Sequence, residues 1–181
     1  MKSFADLQES LENSDGVVFS FGRFQPPHRG HQILVNKVLE IANSKNYDNM
    51  IYTSQTQDKN NPLSWSDKVD ILSRMFPDAD ISRNKKAKNP YKVLSELSDE
   101  GYKNVVMVVG SDRMDDFKNM SKYTEGFDSF ELVSAGERKD GISGTEMRKF
   151  AKDGDFINFN AALPKTYEDG RKIYEMVRKG N

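Results

Sequence analysis

The chain has 181 residues, enough for one domain with a substantial core and too few for a second full domain beside it. Lys and Arg number 27 against 28 Asp and Glu, a net charge of -1, which excludes the broad basic field that draws nucleic acid non-specifically. Cysteine is absent, so disulfides, thiolate metal sites and a cysteine nucleophile are excluded, and a zinc site would need histidine and carboxylates alone.

Met1 to Asp15 reads as a polar, acidic N-terminal extension without the cationic and apolar regions of a secretion signal. No apolar run approaches the roughly 20 residues of a membrane span, and mean hydropathy is -0.76, so a soluble cytoplasmic protein with no membrane partner is expected. Val17 to Phe21 is a short apolar run rich in β-branched and aromatic residues, the pattern of a strand buried on both faces. Ile33, Leu34, Val38, Leu39, Ile41 and Ala42 follow at helical spacing, and Met50 to Thr53 forms a second strand. After Ser64, the residues Val69, Ile71, Leu72, Met75 and Phe76 give another helical stripe, and Asp80 to Ser82 is a candidate short strand. Asn84 to Asn89, with Lys85, Lys86 and Lys88, reads as a solvated loop. Pro90 suits a helix start and Gly101 a helix stop around Tyr91 to Leu97.

Val105 to Val109 is the third strand, Asp112 to Met120 a candidate helix, and Phe130 to Val133 a weaker strand. Helices are expected over Gly144 to Ala151 and Tyr167 to Val177, the latter within a C-terminal helical segment over 156–181. Four or five strands alternating with helices predict one α/β domain over 1–181. Its architecture is a Rossmann-like open, mostly parallel sheet with helices on both faces, which takes ligands at the C-terminal ends of its strands.

Polar motifs fall at those ends. Phe21-Gly22-Arg23-Phe24-Gln25-Pro26-Pro27-His28-Arg29-Gly30-His31 leaves the first strand through a glycine turn and reopens as a helix near Gly30. It holds both histidines of the chain. Two imidazoles three residues apart at a helix N-terminus can donate to phosphate oxygens while the helix end favours negative charge. A side chain at Gly30 would keep phosphate away from the backbone. The alternative is a histidine pair used only for turn packing or capping. Gly141-Ile142-Ser143-Gly144-Thr145-Glu146-Met147-Arg148 follows the fourth strand; Ser143 with Glu146 has capping-box form. The hydroxyls of Ser143 and Thr145, the first-turn amides and the Arg148 guanidinium make a triphosphate cradle compatible with that cap. Gly110 lets the backbone meet a ligand after the third strand, and Asp112 can accept ribose hydroxyls or cap the following turn.

His28-Arg29-Gly30-His31 resembles the HxGH signature of the HIGH-type nucleotidyltransferase superfamily. With Gly22-Arg23-Phe24-Gln25-Pro26 running straight into it, the segment looks like that of the archaeal-type nicotinamide-mononucleotide adenylyltransferases. Ile142, Ser143, Thr145 and Arg148 match the family's ISxTxxR signature. Asn61-Pro62-Leu63-Ser64-Trp65-Ser66-Asp67-Lys68 is similar to its NPF(T/S)xxER segment, with Leu63 for the aromatic and Asp67-Lys68 for Glu-Arg. Asn119-Met120-Ser121-Lys122 matches the MSK core of aminoacyl-tRNA synthetases by coincidence, since the chain is too short for one.

The resemblance implies attack of an acceptor's phosphate oxygen on the α-phosphorus of ATP or CTP, with pyrophosphate leaving and no protein nucleophile. It implies catalytic roles for His28, His31 and Arg148 and nucleotide contacts from Gly22, Arg23, Phe24, Gly30, Gly110, Asp112, Ile142, Ser143 and Thr145. Asn61, Pro62 and Trp65 would meet the acceptor. Mg²⁺ held by phosphate oxygens, with no protein-built cage, is the implied cofactor. The acceptor is a phosphorylated small molecule, nicotinamide mononucleotide by the closest resemblance. The alternatives are a cytidylyltransferase, a phosphopantetheine adenylyltransferase-like enzyme, and a non-catalytic nucleotide-binding regulator. Oligomers are common in the archaeal-type group, and the sequence leaves a homo-oligomer open.

Overall fold

The computed structural model describes residues 14–137 and 141–180; all but the last two residues of the expected N-terminal extension lie outside that range. In chain order the elements are β1 (Gly16–Gly22), α1 (Arg29–Lys45), β2 (Asp48–Thr53), α2 (Trp65–Met75), α3 (Pro90–Asp99), β3 (Asn104–Val109), α4 (Met114–Phe117), β4 (Ser129–Ser134), α5 (Gly144–Lys152), α6 (Phe156–Ala161) and α7 (Gly170–Gly180). The strands run parallel in the order β2-β1-β3-β4. Ile81 extends the sheet by a parallel bridge to Ile51, with the Ile51 amide donating to the Asp80 carbonyl at 2.8 Å and the Ser82 amide to the Ile51 carbonyl at 2.9 Å. The short strand expected over Asp80 to Ser82 is therefore a single rung. Counting it, the spatial order is the doubly wound one, reversing between β1 and β3.

The apolar runs were buried on both sides as their composition requires. One core layer joins Val18, Val106 and Val108 to Val35 and Val38 of α1, Leu72 of α2, Met147 of α5 and Tyr174 of α7. On the opposite face Val17, Phe19, Val105 and Met107 meet Val93, Leu94 and Leu97 of α3. Helices thus cover both faces, as the βαβ connections of a parallel sheet demand.

Two segments differ from the sequence reading. Asp112 to Met120 is broken into a 3-10 turn over Ser111–Arg113, the single turn α4, and a further 3-10 stretch over Lys118–Tyr123. Met120 alone is buried within these three pieces, so no apolar stripe exists to hold a continuous helix. The C-terminal segment divides into α6 and α7, and the helix expected from Tyr167 begins at Gly170. Gly170 lies so close to Asn160 and Leu163 that a side chain there would collide with both.

Where the sheet order reverses, the sheet also splits. Pairing of β1 with β3 ends at Phe19↔Met107, whereas β1 remains paired with β2 to Gly22↔Thr53 and β3 with β4 to Val109↔Ser134. The two central strands diverge over their last residues. This crevice at their C-terminal ends holds the site.

Candidate active site

A cavity of about 540 Å³ fills the crevice, within the range of small-molecule sites. Its wall combines the exit of β1 (Ser20 to Gln25), His28 and His31 of α1, the exit of β3 (Val109, Gly110, Asp112) and the start of α5 (Ser143, Gly144, Thr145, Arg148). Of the residues read as functional from sequence, Gly22, Arg23, Phe24, His28, His31, Asn61, Gly110, Asp112, Ser143, Thr145 and Arg148 all line it. Segments more than a hundred residues apart meet there because β1 and β3 are neighbours and α5 packs on the α1 face.

The histidines are both caps and cavity wall. His28 is the N-cap of α1: its Nδ1 accepts from the Gly30 amide at 3.0 Å, while its own amide donates to Nδ1 of His31 at 3.1 Å. Each Nδ1 is an acceptor, so in the neutral rings each proton sits on Nε2. The ring centroids lie 3.9 Å apart, and Phe24 packs on His31 at 4.6 Å. A Cβ at Gly30 would stand 2.8 Å from Cε1 of His28. Glycine is therefore required there by the His28 cap itself, and Gly30 is not among the wall residues.

Phe24 takes a left-handed φ of 48° although only 1% of its surface is exposed. For a bulky residue that conformation carries strain of about 1–3 kcal/mol, a feature concentrated at functional sites. It turns the chain back so that the ring lies over Gly22, where a Cβ would be 2.7 Å from Cε2 of Phe24. Gln25, 3% exposed, clamps the turn to the Asn61-Pro62-Leu63 segment. Its Oε1 accepts from the Leu63 amide at 2.9 Å and its Nε2 donates to the Leu63 carbonyl at 2.8 Å.

At the far wall the Ser143 hydroxyl accepts from the Glu146 amide at 3.2 Å, which completes a capping box at the start of α5. Arg148, one turn later, donates through Nη1 to the Gln25 carbonyl at 2.7 Å and through Nη2 to the Thr145 hydroxyl at 3.2 Å. Burial lowers the Arg148 guanidinium from its ordinary value, and the charge of Arg23 lowers it further. Two guanidinium groups repelling one another across a concave wall are relieved by an anion between them.

Four sequence candidates stand outside the wall. Trp65, at the start of α2, lies beneath the Lys85 ammonium, 5.7 Å from its ring centroid. Pro62 packs beside Gly180, Ile142 packs on the core layer of α1, and Gly30 lies under the His28 ring. Conversely, Pro90, Arg113 and Phe117 line the cavity without belonging to any of the motifs. Lys68, which in sequence is only a substitute for arginine, is wholly buried. Its Nζ donates to the Arg23 carbonyl at 2.8 Å, the Ser54 carbonyl at 2.6 Å and the Ser54 hydroxyl at 3.0 Å. Its spacing to Ile71, Leu72 and Met75 on the buried face of α2 is the signal that would have found it.

A doubly wound sheet, a crevice at its switch point, and a histidine-capped helix facing an arginine-bearing second helix define a nucleotidyltransferase of the HIGH type. The model of the Cytidylyltransferase-like family matches residues 19–150, and the chain belongs to that family. The fold is shared with Plasmodium falciparum nicotinic acid mononucleotide adenylyltransferase complexed with NaAD, at a TM-score of 0.58 and 15% identity over 92% of this chain and 98% of that one. Thermotoga maritima TmcAL bound with alpha-thio ATP superposes at a TM-score of 0.54 and 12% identity, covering 91% of this chain and 55% of that one. A search of curated proteins finds no match. Among the described residues no helix is long and apolar enough to cross a membrane.

Proposed function

We propose that this nucleotidyltransferase is an adenylyltransferase that joins the AMP part of ATP to a phosphorylated acceptor, nicotinamide mononucleotide, and releases pyrophosphate. The observation that carries the reading is the paired histidine cap: both Nδ1 atoms are engaged by backbone amides, which leaves Nε2–H as the donating end of each ring. The acceptor's phosphate oxygen attacks the α-phosphorus in line, the bond to the bridging oxygen breaks, and the electron pair leaves with pyrophosphate. Donors fixed before reaction stabilise charge as it develops. His28 and His31 serve the α-phosphate and bridging oxygen, and Arg148 with Ser143 and Thr145 holds the departing β- and γ-phosphates. Arg23 orients phosphate from the opposite wall, and Asp112 accepts ribose hydroxyls.

Magnesium fits this site as a companion of the triphosphate. Asp112 is the single carboxylate among the described wall residues, and no three His, Cys, Asp or Glu side chains gather as a cage among the described residues. When bound, the ion neutralises phosphate charge. The choice of ATP and nicotinamide mononucleotide rests on the Gly22 to Pro26 and Asn61 to Lys68 resemblances; the Plasmodium enzyme is named for the related acceptor that carries nicotinic acid in place of nicotinamide.

The test is pyrophosphate release with Mg²⁺ and either ATP or CTP, offered against nicotinamide mononucleotide, phosphopantetheine, glycerol phosphate and phosphocholine. Turnover confined to ATP with nicotinamide mononucleotide supports the proposal. Turnover with another pair discards the acceptor, and ATP binding without turnover favours a nucleotide-sensing regulator.

A further inference from the structure

We propose that Lys68 is a positioning residue for the phosphate end of the cavity, holding the Arg23–Gln25 turn in place from beneath. This rests on the nucleotidyl-transfer reading and adds to it a residue that touches no substrate. The Lys68 ammonium is wholly buried, and its three donors meet three neutral acceptors: the Arg23 carbonyl, the Ser54 carbonyl and the Ser54 hydroxyl. No carboxylate pairs with it among the described ion pairs. A buried charge without a counter-ion is costly, and a methionine would fill the same stripe of α2 beside Ile71, Leu72 and Met75. What the ammonium supplies instead is a tie between the exits of β1 and β2.

That tie lies at the start of a chain of contacts. Arg23 faces the cavity, Phe24 next to it packs on His31, and the Gln25 carbonyl receives Arg148. Without Lys68, the Thr53 hydroxyl, at 3.5 Å, is the one donor to the Arg23 carbonyl that remains among the described residues. Release of the turn would shift Arg23 and Arg148 together, and a misplacement of about 1 Å can cost on the order of 100-fold in rate.

The experiment compares wild type, Lys68→Met, Lys68→Arg and the milder Ser54→Ala. It measures kcat and KM for each substrate, calorimetric ATP affinity and thermal midpoint. Expected is a kcat/KM for ATP lowered roughly tenfold or more in Lys68→Met, through kcat, KM or both, with a loss of ATP affinity and unchanged acceptor KM. Lys68→Arg recovers part of the loss, and Ser54→Ala shows a smaller change of the same kind. A variant that melts earlier yet keeps wild-type kcat, KM and ATP affinity overturns the proposal, since a purely structural lysine predicts that result. Should Lys68→Met not fold, Ser54→Ala with wild-type ATP affinity overturns it equally. If wild type binds ATP but turns over no acceptor, the functional reading fails while the affinity comparison still decides the role of Lys68.

Discussion

Arg148 donates through Nη1 to the Gln25 carbonyl at 2.7 Å, joining α5 to the turn after β1 across 123 residues of sequence. The contact aims the guanidinium at the cavity and leaves it close enough to Arg23 to feel its charge. Arg148→Ala is expected to raise the KM for ATP roughly ten- to a hundredfold, the equivalent of about 1.5–3 kcal/mol for lost charge-assisted hydrogen bonds. Arg148→Lys should recover little, because an ammonium cannot span Gln25, Thr145 and phosphate at once. Steady-state kinetics with ATP varied would check this; an unchanged KM would place the triphosphate elsewhere.

Under the proposed reading His31 has two separable duties. Its Nδ1 caps α1 through the His28 amide, while Nε2–H is the group assigned to phosphate. His31→Ala removes both, so turnover should fall on the order of 100- to 1,000-fold, with about 0.5–2 kcal/mol of stability lost with the cap. His31→Asn offers a side-chain oxygen to the same amide. It should recover thermal midpoint without recovering turnover, and equal turnover in the two proteins would refute the catalytic assignment.

The strands and the motifs were legible because their signals are local. Val17 to Phe21 and Val105 to Val109 are continuous apolar runs of the kind a parallel sheet buries on both faces, and the His28–His31 and Ser143–Arg148 motifs each open a helix that comes after a strand. The split between β1 and β3 was not legible, since it depends on pairing between segments 88 residues apart. Trp65 shows the limit of motif reasoning: its neighbours Asn61 and Lys68 reach the wall and the turn beneath it, while its indole meets Lys85. Helix spacing turns adjacent residues in different directions. The double role of His28 as cap and wall was half visible, because capping and phosphate binding use the same helix end and a sequence shows only that both are available.

Gly22 tests the strained turn. An added methyl at this position would stand 2.7 Å from Cε2 and 2.9 Å from Cζ of Phe24, whose ring is buried and packs on His31. Gly22→Ala should cost about 1–3 kcal/mol through overpacking and lower turnover by displacing His31. Differential scanning calorimetry beside a pyrophosphate assay reads both. Wild-type turnover with a lowered midpoint would show that Phe24 does not set the histidine.

The Lys68 ammonium also makes stability depend on pH. Burial lowers it from an ordinary 10.5 to about 8. Between those values the unfolded chain binds the proton that the folded chain has released, so this group adds stability as pH rises from about 8 towards 10.5. Below pH 8 both states are protonated and the folded one bears the full cost of the buried charge. Tyr52 and Tyr102 act in the opposite sense: burial raises both phenols, so the folded chain holds their protons longer and stability falls above about pH 10. Denaturant unfolding of wild type and Lys68→Met at steps from pH 7 to 10 isolates the lysine, because the tyrosine contribution is common to both. The stability difference should shift in favour of wild type between pH 8 and 10 and stay flat below 8. A difference independent of pH across that window would mean that Lys68 titrates like a solvated lysine, and with it the burial that makes its tie costly would be lost.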